Sequence, residues 1–157
     1  MSNTLEEWLM EEDEPSISFQ NEDIDFELPN SGQLSRWIEA VIEREGNNLH
    51  QVSYIFCSDE YLFGLNQEYL NHDTYTDIIT FPYTEPPLIE GDIFISIDRV
   101  KENARQFGSS FEQELHRVMI HGIFHLCGYL DKTPEEEARM RQKEDEALQS
   151  LQKLLSE

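Results

Sequence analysis

The sequence predicts an α+β fold: a single domain in which a small mixed four-stranded sheet packs against helices. Segments with the apolar patterns of strands are interspersed with segments of helical periodicity, in the order βαβαββααα. At 157 residues, 38 % of them hydrophobic, the chain is long enough for one domain with a substantial core. We therefore expect an acidic N-terminal extension at residues 1–15 and one folded domain at residues 16–157.

The first half of the chain is predicted to supply two strands and two helices. Ser31 is a suitable N-cap for the first helix, and Gly46 follows its last turn as a stop signal. Val52, Tyr54 and Phe56 alternate with other residues, which indicates a strand with one buried face. The predicted elements are a strand or hairpin at 16–28, a helix at 31–45, a strand at 49–57 and a short helix at 58–70.

The second half is predicted to contain two strands and three helices. The segment 111–127 is rich in apolar residues, which is typical of a buried central helix. Thr133 and Glu136 have the spacing of a capping box, with Pro134 in the first turn, so a final helix begins there. The other predicted elements are strands at 77–81 and 92–97 and a helix at 99–107.

The final helix is highly charged and is predicted to lie at the surface. Its acidic and basic side chains recur four residues apart, which is typical of ordinary surface ion pairs and indicates no function. The expected pairs include Glu135 with Arg139 and Glu137 with Arg141.

Two histidines in the predicted central helix indicate a metal site. His121 and His125 are four residues apart, so they lie on one helix face, and both imidazoles can reach one ion. Gly128 can end the helix in a left-handed cap, after which the chain can bring Asp131 back as an oxygen ligand. Three protein ligands leave a coordination position open for water, as in catalytic zinc sites. A chance pairing of core histidines is the alternative.

Gly122 occupies the position at which H-E-x-x-H metalloproteases carry their glutamate general base. The metal itself would therefore have to activate its bound water by lowering the pKa of that water. A helical glycine costs about 1 kcal/mol relative to alanine, and close approach of another backbone or of a substrate would explain its presence. His116 precedes His121 by one turn and a half, points about 140° away, and is not expected to be a ligand.

Four segments of the chain carry a family resemblance. They read L-N-Q-E-Y-L-N-H-D-T-Y-T-D-I-I-T-F-P at 65–82, G-D-I-F-I-S at 91–96, S-F-E-Q-E-L at 110–115 and H-G-I-F-H-L-C-G-Y-L-D at 121–131. In this order they resemble the motifs of the YbeY-type endoribonucleases, the bacterial rRNA maturation factors. The resemblance covers roughly residues 16–150, and four motifs in order are much more specific than one.

Two positions depart from the family pattern. Asp131 stands where the family has a third histidine, and an aspartate oxygen can still bind Zn²⁺, although it makes the ligand set harder. Leu70 stands where the family has an arginine that is thought to act in catalysis. Another cation, such as Arg36 or Lys132, would have to supply that charge, or RNA would be cut less well.

The resemblance implies a metal-dependent, single-strand-specific endoribonuclease that acts in 16S rRNA maturation at the 3′ end and in ribosome quality control. It implies one divalent ion per chain, with zinc as the expected metal, and places the ligands at His121, His125 and Asp131. The expected partners are rRNA and the small ribosomal subunit with its proteins, without sequence-specific DNA binding. No side chain is assigned as the catalytic group.

Residues 65–82, which run beside the site in the family, supply four candidate substrate contacts. They are Asn66, Asp73, Thr76 and Asp77. Each also has a structural interpretation, since short polar side chains commonly cap turns or bond the backbone where a helix joins a loop. His72 is an additional acid–base candidate, with an exposed loop histidine as the plainer interpretation.

The net charge of −22 is the main argument against an RNA substrate, because phosphate binding normally depends on lysine and arginine. Residues 1–30 contain ten acidic side chains and no basic one, whereas all eleven lysines and arginines lie from Arg36 onward. We therefore expect weak binding to free RNA, with a basic ribosomal partner or the ribosomal particle contributing affinity. The plain alternative is that the charge serves solubility.

Two other function classes remain open. A metzincin-like metalloprotease matches the ligand spacing but lacks the glutamate, and a non-catalytic ribosome-assembly factor would use the ion structurally. The sequence shows neither a membrane span nor a signal peptide, and Cys57 and Cys127 form no disulfide framework, so a cytoplasmic protein is expected. Cys127 lies off the ligand face and is expected to be a buried thiol.

Overall fold

The centre of the fold is a mixed four-stranded sheet. The computed structural model describes residues 14–157, so almost all of the predicted acidic extension lies outside the described residues. The strands are β1 (Ser16–Asn21), β2 (Asn48–Cys57), β3 (Ile78–Pro82) and β4 (Leu88–Ser96). Their order in the sheet is β1-β2-β4-β3, with β1, β2 and β4 parallel and β3 antiparallel to β4 at one edge.

Five helices are interspersed with the strands in the predicted order βαβαββααα, which confirms the α+β fold class. They are α1 (Ser31–Arg44), α2 (Asp59–Leu70), α3 (Ile97–Phe107), α4 (Phe111–Leu126) and α5 (Pro134–Leu155). Ser58, Ser96, Ser110 and Thr133 cap four of them by accepting backbone N–H groups. The predicted capping box and first-turn proline of α5 are both present.

The two faces of the sheet are covered by different helices. On one face, the side chains of β2 and β4 pack with α1, α4 and α5 in the main core, around fully buried residues such as Trp37, Tyr54 and Phe124. On the other face, Leu62 of α2 packs against Cys57 and Ile79 in a smaller cluster. Alternation along each strand separates the two sets, as a pleated strand requires. Helix α4 is therefore the buried central helix that its composition predicts.

Gly122 lies where α4 crosses the sheet at close range. A Cβ atom at this position would lie 3.0 Å from the Cδ1 atoms of Ile78 and Ile93. The glycine therefore accommodates apolar side chains of β3 and β4, not another backbone or a substrate. Because the contact is so close, the face of α4 that carries His121 is held directly over the β3 edge.

Several predicted boundaries are wrong for local reasons. The N-cap of α1 is Asn30, not Ser31, because Asn30 adopts the left-handed conformation that asparagine tolerates and leads directly into the helix. Residues 22–28 form no second strand of a hairpin; Ile24 and Phe26 instead pack on the core from an irregular segment. The predicted strand at 92–97 begins earlier, at Leu88, and Ile97 already belongs to α3.

The two predicted surface pairs of α5, Glu135–Arg139 and Glu137–Arg141, are not among the ion pairs formed by the described residues. Basic residues elsewhere in this region pair differently. Arg117 of α4 pairs with Glu144 and Asp145, and Lys143 pairs with Glu45 of α1. The shorter of these ion pairs therefore join α5 to its neighbours, whereas along its own surface Lys143 lies 4.0 Å from Glu146, a pair that the sequence analysis did not name.

Candidate metal centre

Helix α4 ends in a turn that directs the chain back across its own last turn. Gly128 has φ +104°, a conformation that residues with a side chain rarely adopt. Its N–H donates to the His125 carbonyl, and the Tyr129 N–H donates to the Phe124 carbonyl, which together form a Schellman motif. The predicted left-handed cap is thus present, and it brings the following residues toward the histidines.

The three predicted ligands meet at this point. One carboxylate oxygen of Asp131 lies 3.2 Å from Nε2 of His121 and 3.2 Å from Nε2 of His125. The two imidazoles stand nearly perpendicular, with ring centroids 4.5 Å apart. Within the described residues, these three side chains form the one group of His, Cys, Asp and Glu donors close enough to share a metal ion.

The other nitrogen of each imidazole is held by an acceptor. Nδ1 of His121 donates to the Glu144 carboxylate at 2.7 Å, and Nδ1 of His125 donates to the Tyr129 carbonyl at 3.0 Å. A proton on Nδ1 leaves the Nε2 lone pair of a neutral ring directed at Asp131. Both rings are thereby fixed in orientation and in the tautomer that a metal ligand requires.

The donor set fits a divalent metal ion. Ligands bound at about 2.0–2.1 Å in a tetrahedral arrangement lie about 3.3 Å apart, close to the two 3.2 Å separations from Asp131. Two imidazole lone pairs and a carboxylate oxygen at this separation repel one another unless a proton or a metal cation lies between them. The geometry and the electrostatics therefore both favour a bound cation.

Glu144 is the residue of this site that sequence reasoning missed. The residue is only 4 % exposed, and its carboxylate accepts hydrogen bonds from both His121 and Arg117. Arg117 donates further to Asp145 at 2.7 Å, so its guanidinium bridges two carboxylates of α5. A signal was present, since Glu144 interrupts the otherwise apolar buried stripe of α5 that contains Met140, Ala147 and Leu151.

The carboxyl groups around the site change the proton affinity of one another and of His121. Burial lowers the pKa of the His121 imidazole, but the hydrogen bond to Glu144 and the negative charges of Glu144, Asp131 and Asp77 together outweigh burial and leave the pKa raised. Burial raises the pKa of Asp77 and of Glu114, which face the same region. A dense set of partly buried carboxyls favours positive charge, so a divalent ion is electrostatically well suited to this place.

Two clefts meet at His121 and Asp131, two of the three ligands. The first, here called the α5 cleft, has a volume of about 450 Å³, and the second, the β3 cleft, has a volume of about 380 Å³. Both are lined by Asp77, Ile78, His121 and Asp131. The α5 cleft adds Glu114, Arg117, Glu137, Arg141 and Glu144, and the β3 cleft adds Asn66, Leu70, His72, Thr74 and Thr76. The candidate metal centre therefore lies in the middle of a continuous trough.

A comparison with known protein families gives a match that spans most of the chain. The family model described as "Endoribonuclease YbeY" matches residues 16–152, which is most of the chain and includes every residue of the trough. The chain belongs to the YbeY endoribonuclease family. The resemblance of the four sequence motifs is thereby confirmed.

Relatives within the YbeY family are similar over nearly their whole length. The chain is 52 % identical to the endoribonuclease YbeY of Flavobacterium psychrophilum over 132 residues, which cover 84 % of this chain and 94 % of that protein. It is 49 % identical to the endoribonuclease YbeY of Cytophaga hutchinsonii over 141 residues, with 89 % and 98 % covered. A solution structure of a Thermotoga maritima protein shares the fold, with TM-score 0.61, 29 % identity and 88 % and 93 % covered.

The four residues proposed to contact substrate occupy different environments in this YbeY family chain. Asp77 lies where the two clefts join, and Thr76 lines the β3 cleft. Asn66 is buried, and its amide donates to the Thr74 carbonyl at 2.8 Å, so it also supports the loop. Asp73 is exposed, accepts from Gln67 at 2.7 Å and does not line either cleft.

The replacement cations considered for the YbeY arginine lie outside the trough. Leu70, at the position of that arginine, lines the β3 cleft and is 43 % exposed. Neither Arg36 nor Lys132 lines either cleft, and Arg36 instead lines a groove between α1 and α5. The arginines that do face the trough are Arg117 and Arg141.

The remaining histidine and cysteine candidates do not belong to the ligand group. His116 is buried, packs against the Trp37 ring with centroids 6.3 Å apart, and has a pKa lowered by burial. His72 is exposed and lines the β3 cleft. Cys127 is half-buried where the sequence predicted a buried thiol. This partial burial still raises the pKa of the thiol to about 11, so it stays protonated near neutral pH and is a poor ligand. No helix among residues 14–157 is long and apolar enough to cross a membrane.

Proposed function

We propose that the protein is a metal-dependent, single-strand-specific endoribonuclease that acts in maturation of the 16S rRNA 3′ end and in ribosome quality control. The observation that carries this proposal is the convergence of His121, His125 and Asp131 in the middle of an open trough, in a chain of the YbeY family. Each cleft has a volume within the range of about 300–1,000 Å³ typical of small-ligand sites, which suits the nucleotides on either side of one phosphodiester.

The chain's own residues would prepare the site for hydrolysis. Glu144 and the Tyr129 carbonyl hold the two imidazoles with Nε2 free to bind the ion, and Asp131 adds a negative charge to the ligand set. A divalent ion held by these ligands supplies Lewis acidity toward a phosphoryl oxygen and lowers the pKa of a water molecule. Thr76 and Asp77 line the trough beside the ligands, and we propose that they contact the RNA strand.

Zinc is the proposed metal, with one ion per chain. Two imidazole nitrogens and one carboxylate oxygen form a ligand set that zinc accepts in catalytic sites, where a fourth position stays open. The carboxylate makes the set harder than three histidines and broadens the range of divalent ions that it can bind.

The acidic surface shapes the proposed partners. A net charge of −22 opposes binding to free RNA, since both are anionic. We propose that rRNA is presented within the small ribosomal subunit, where basic ribosomal proteins offset the repulsion. Cleavage should accordingly be more efficient on a ribosomal particle than on the same RNA sequence alone.

The first expected result concerns metal content. Asp131→Ala should lose most of the bound metal, because two neutral imidazoles alone retain zinc weakly, whereas His116→Ala should keep it, because His116 packs against Trp37 away from the ligands. Elemental analysis of both purified variants, with circular dichroism to verify folding, makes the comparison. Equal metal content in the two variants would refute the three-ligand assignment.

The second expected result concerns activity. Wild-type protein should cleave a single-stranded rRNA precursor fragment, or the same RNA in ribosomal particles, and His125→Ala should lose both its metal and this cleavage. Bound metal without cleavage of either substrate would instead favour an assembly factor with a structural ion. Casein added as a parallel substrate should remain intact, since Gly122 leaves the helix without the glutamate base of the metalloproteases.

A further inference from the structure

The two halves of the trough differ in charge. The β3 cleft is lined by no lysine or arginine, and the chain has neither residue between Arg44 and Arg99. The α5 cleft is lined by Arg117 and Arg141. An RNA strand that crosses the metal centre carries a phosphate on each side of the scissile bond, so only the half at α5 can offer a positive side chain to a flanking phosphate.

The two arginines of the α5 cleft differ in their ion-pair partners. Arg117 donates to Glu144 and to Asp145, at 2.9 and 2.7 Å, so its charge is already matched by two carboxylates. Arg141 is exposed, and it forms no ion pair with any residue in the part of the chain that the structure describes. Its guanidinium therefore retains its hydrogen-bond donors for a ligand.

The position of Arg141 on α5 directs it toward the trough. Glu137, Arg141 and Glu144 follow one another at helical spacing on one face, and all three line the α5 cleft. Glu144 at the base of this face bonds the ligand His121. Arg141 thus stands one turn along the helix from a residue that touches the metal centre.

We propose that Arg141 binds the phosphate that flanks the scissile phosphodiester on the α5 side and so positions the RNA strand across the metal centre. The inference rests on the proposed endoribonuclease function and adds a substrate-binding residue to it. A guanidinium suits this task because it binds phosphate oxygens through paired N–H donors. Because acidic side chains surround it in the cleft and Arg117 is already paired, Arg141 is the positive charge that would determine which phosphate of the strand lies there.

The test compares Arg141→Ala with Arg36→Ala, a matched loss of a cation that lies outside the trough. Binding of the zinc-loaded proteins to a labelled single-stranded RNA with phosphorothioate linkages is measured over a range of salt concentrations, beside cleavage of the unmodified strand. Arg141→Ala should raise KM about tenfold with a smaller change in kcat, as expected for loss of one charged contact of about 1.5 kcal/mol. The slope of log K against log salt should fall by about 0.7, the value for one phosphate of a single strand.

A double variant that moves the positive charge to the other side of the metal centre tests the geometry further. Leu70→Arg places a guanidinium in the β3 cleft, on the other side of the ligands. In the Arg141→Ala background it should restore the salt slope of wild type, because one phosphate contact replaces another across the trough. Metal content and thermal unfolding of each variant, expected to match wild type, show that fold and ion are retained.

Two results would overturn the inference in different ways. If wild type cleaves RNA and Arg141→Ala matches Arg36→Ala in KM and salt slope, Arg141 has no role in substrate binding, while the proposed function stands. If zinc-loaded wild type neither binds nor cleaves single-stranded RNA, in free form or in ribosomal particles, the proposed function fails and the inference fails with it.

Discussion

Replacement of Glu144 by alanine should lower the free energy of unfolding by about 2–4 kcal/mol and weaken metal binding by about 10–100-fold. The buried carboxylate bonds His121 and Arg117 at once. Without it, the imidazole loses the acceptor that fixes its tautomer, and the guanidinium loses the more buried of its two carboxylate partners. The loss therefore affects both the stability of the α4–α5 packing and the geometry of the metal centre.

Asp145→Ala is the matched control for this change. Asp145 follows Glu144 directly and bonds the same guanidinium, but its side chain is 55 % exposed and does not touch His121. Its loss should cost less than about 1 kcal/mol, with unchanged metal affinity. Chemical denaturation of the metal-free variants gives the stability difference, and competition with a chromogenic chelator gives the affinity. If the two variants behave alike in both measurements, Glu144 does not orient the ligand.

Gly122→Val should lower the free energy of unfolding by about 3 kcal/mol or more. The Cβ alone would lie 3.0 Å from methyl groups of Ile78 and Ile93, and the two further methyl groups of valine must also find space. Relief of this overlap requires α4 to move away from β3 and β4. Because His121 precedes Gly122, the same movement should impair the ligand geometry, so metal affinity should fall together with stability.

Gly64→Ala is the contrasting case. Gly64 also lies inside a helix, α2, but a Cβ atom at this position would meet no atom within 4 Å. The substitution should therefore stabilise the protein by about 1 kcal/mol through helix propensity alone. Thermal and urea unfolding of both variants separates the two effects. A neutral Gly122→Val variant would show that the sheet can yield at this point and that close packing does not explain the glycine.

The candidate ligand group could be predicted because its determinants are local. His121 and His125 are related by one helical turn, and Asp131 follows a left-handed glycine within the same short segment. Helical geometry and turn chemistry alone bring such residues together. Nothing distant along the chain has to be known to place them.

Glu144 could not be placed in the same way. It lies on α5, 23 residues after His121 in sequence, and it reaches His121 only because α4 and α5 pack side by side. A glutamate in an apolar stripe signals a buried partner but does not identify it. The reason for a glycine at position 122 likewise lies in tertiary packing, because Ile78 and Ile93 come from two different strands. No local sequence pattern predicts how close those strands lie to α4.

Strand boundaries were less predictable than helices. Ile24 and Phe26 alternate as strand residues do, yet they pack on the core from an irregular segment, and alternation alone does not distinguish the two. At the start of β4, Leu88 and Ile89 pair with β2, although two prolines and a glycine nearby resemble a loop. The starts of α2 and α5 were better defined because their serine and threonine caps act within three residues.

The two imidazoles depend on unlike acceptors, and this has a consequence for how the centre can vary. His125 relies on the main-chain oxygen of Tyr129, which is present whatever side chain follows Gly128. His121 relies on a carboxylate that a single base change in the gene can remove or alter. Natural and engineered changes of metal preference should therefore occur mainly at Asp131 and Glu144. The orientation of His125 should stay the same as long as the backbone keeps its path after Gly128.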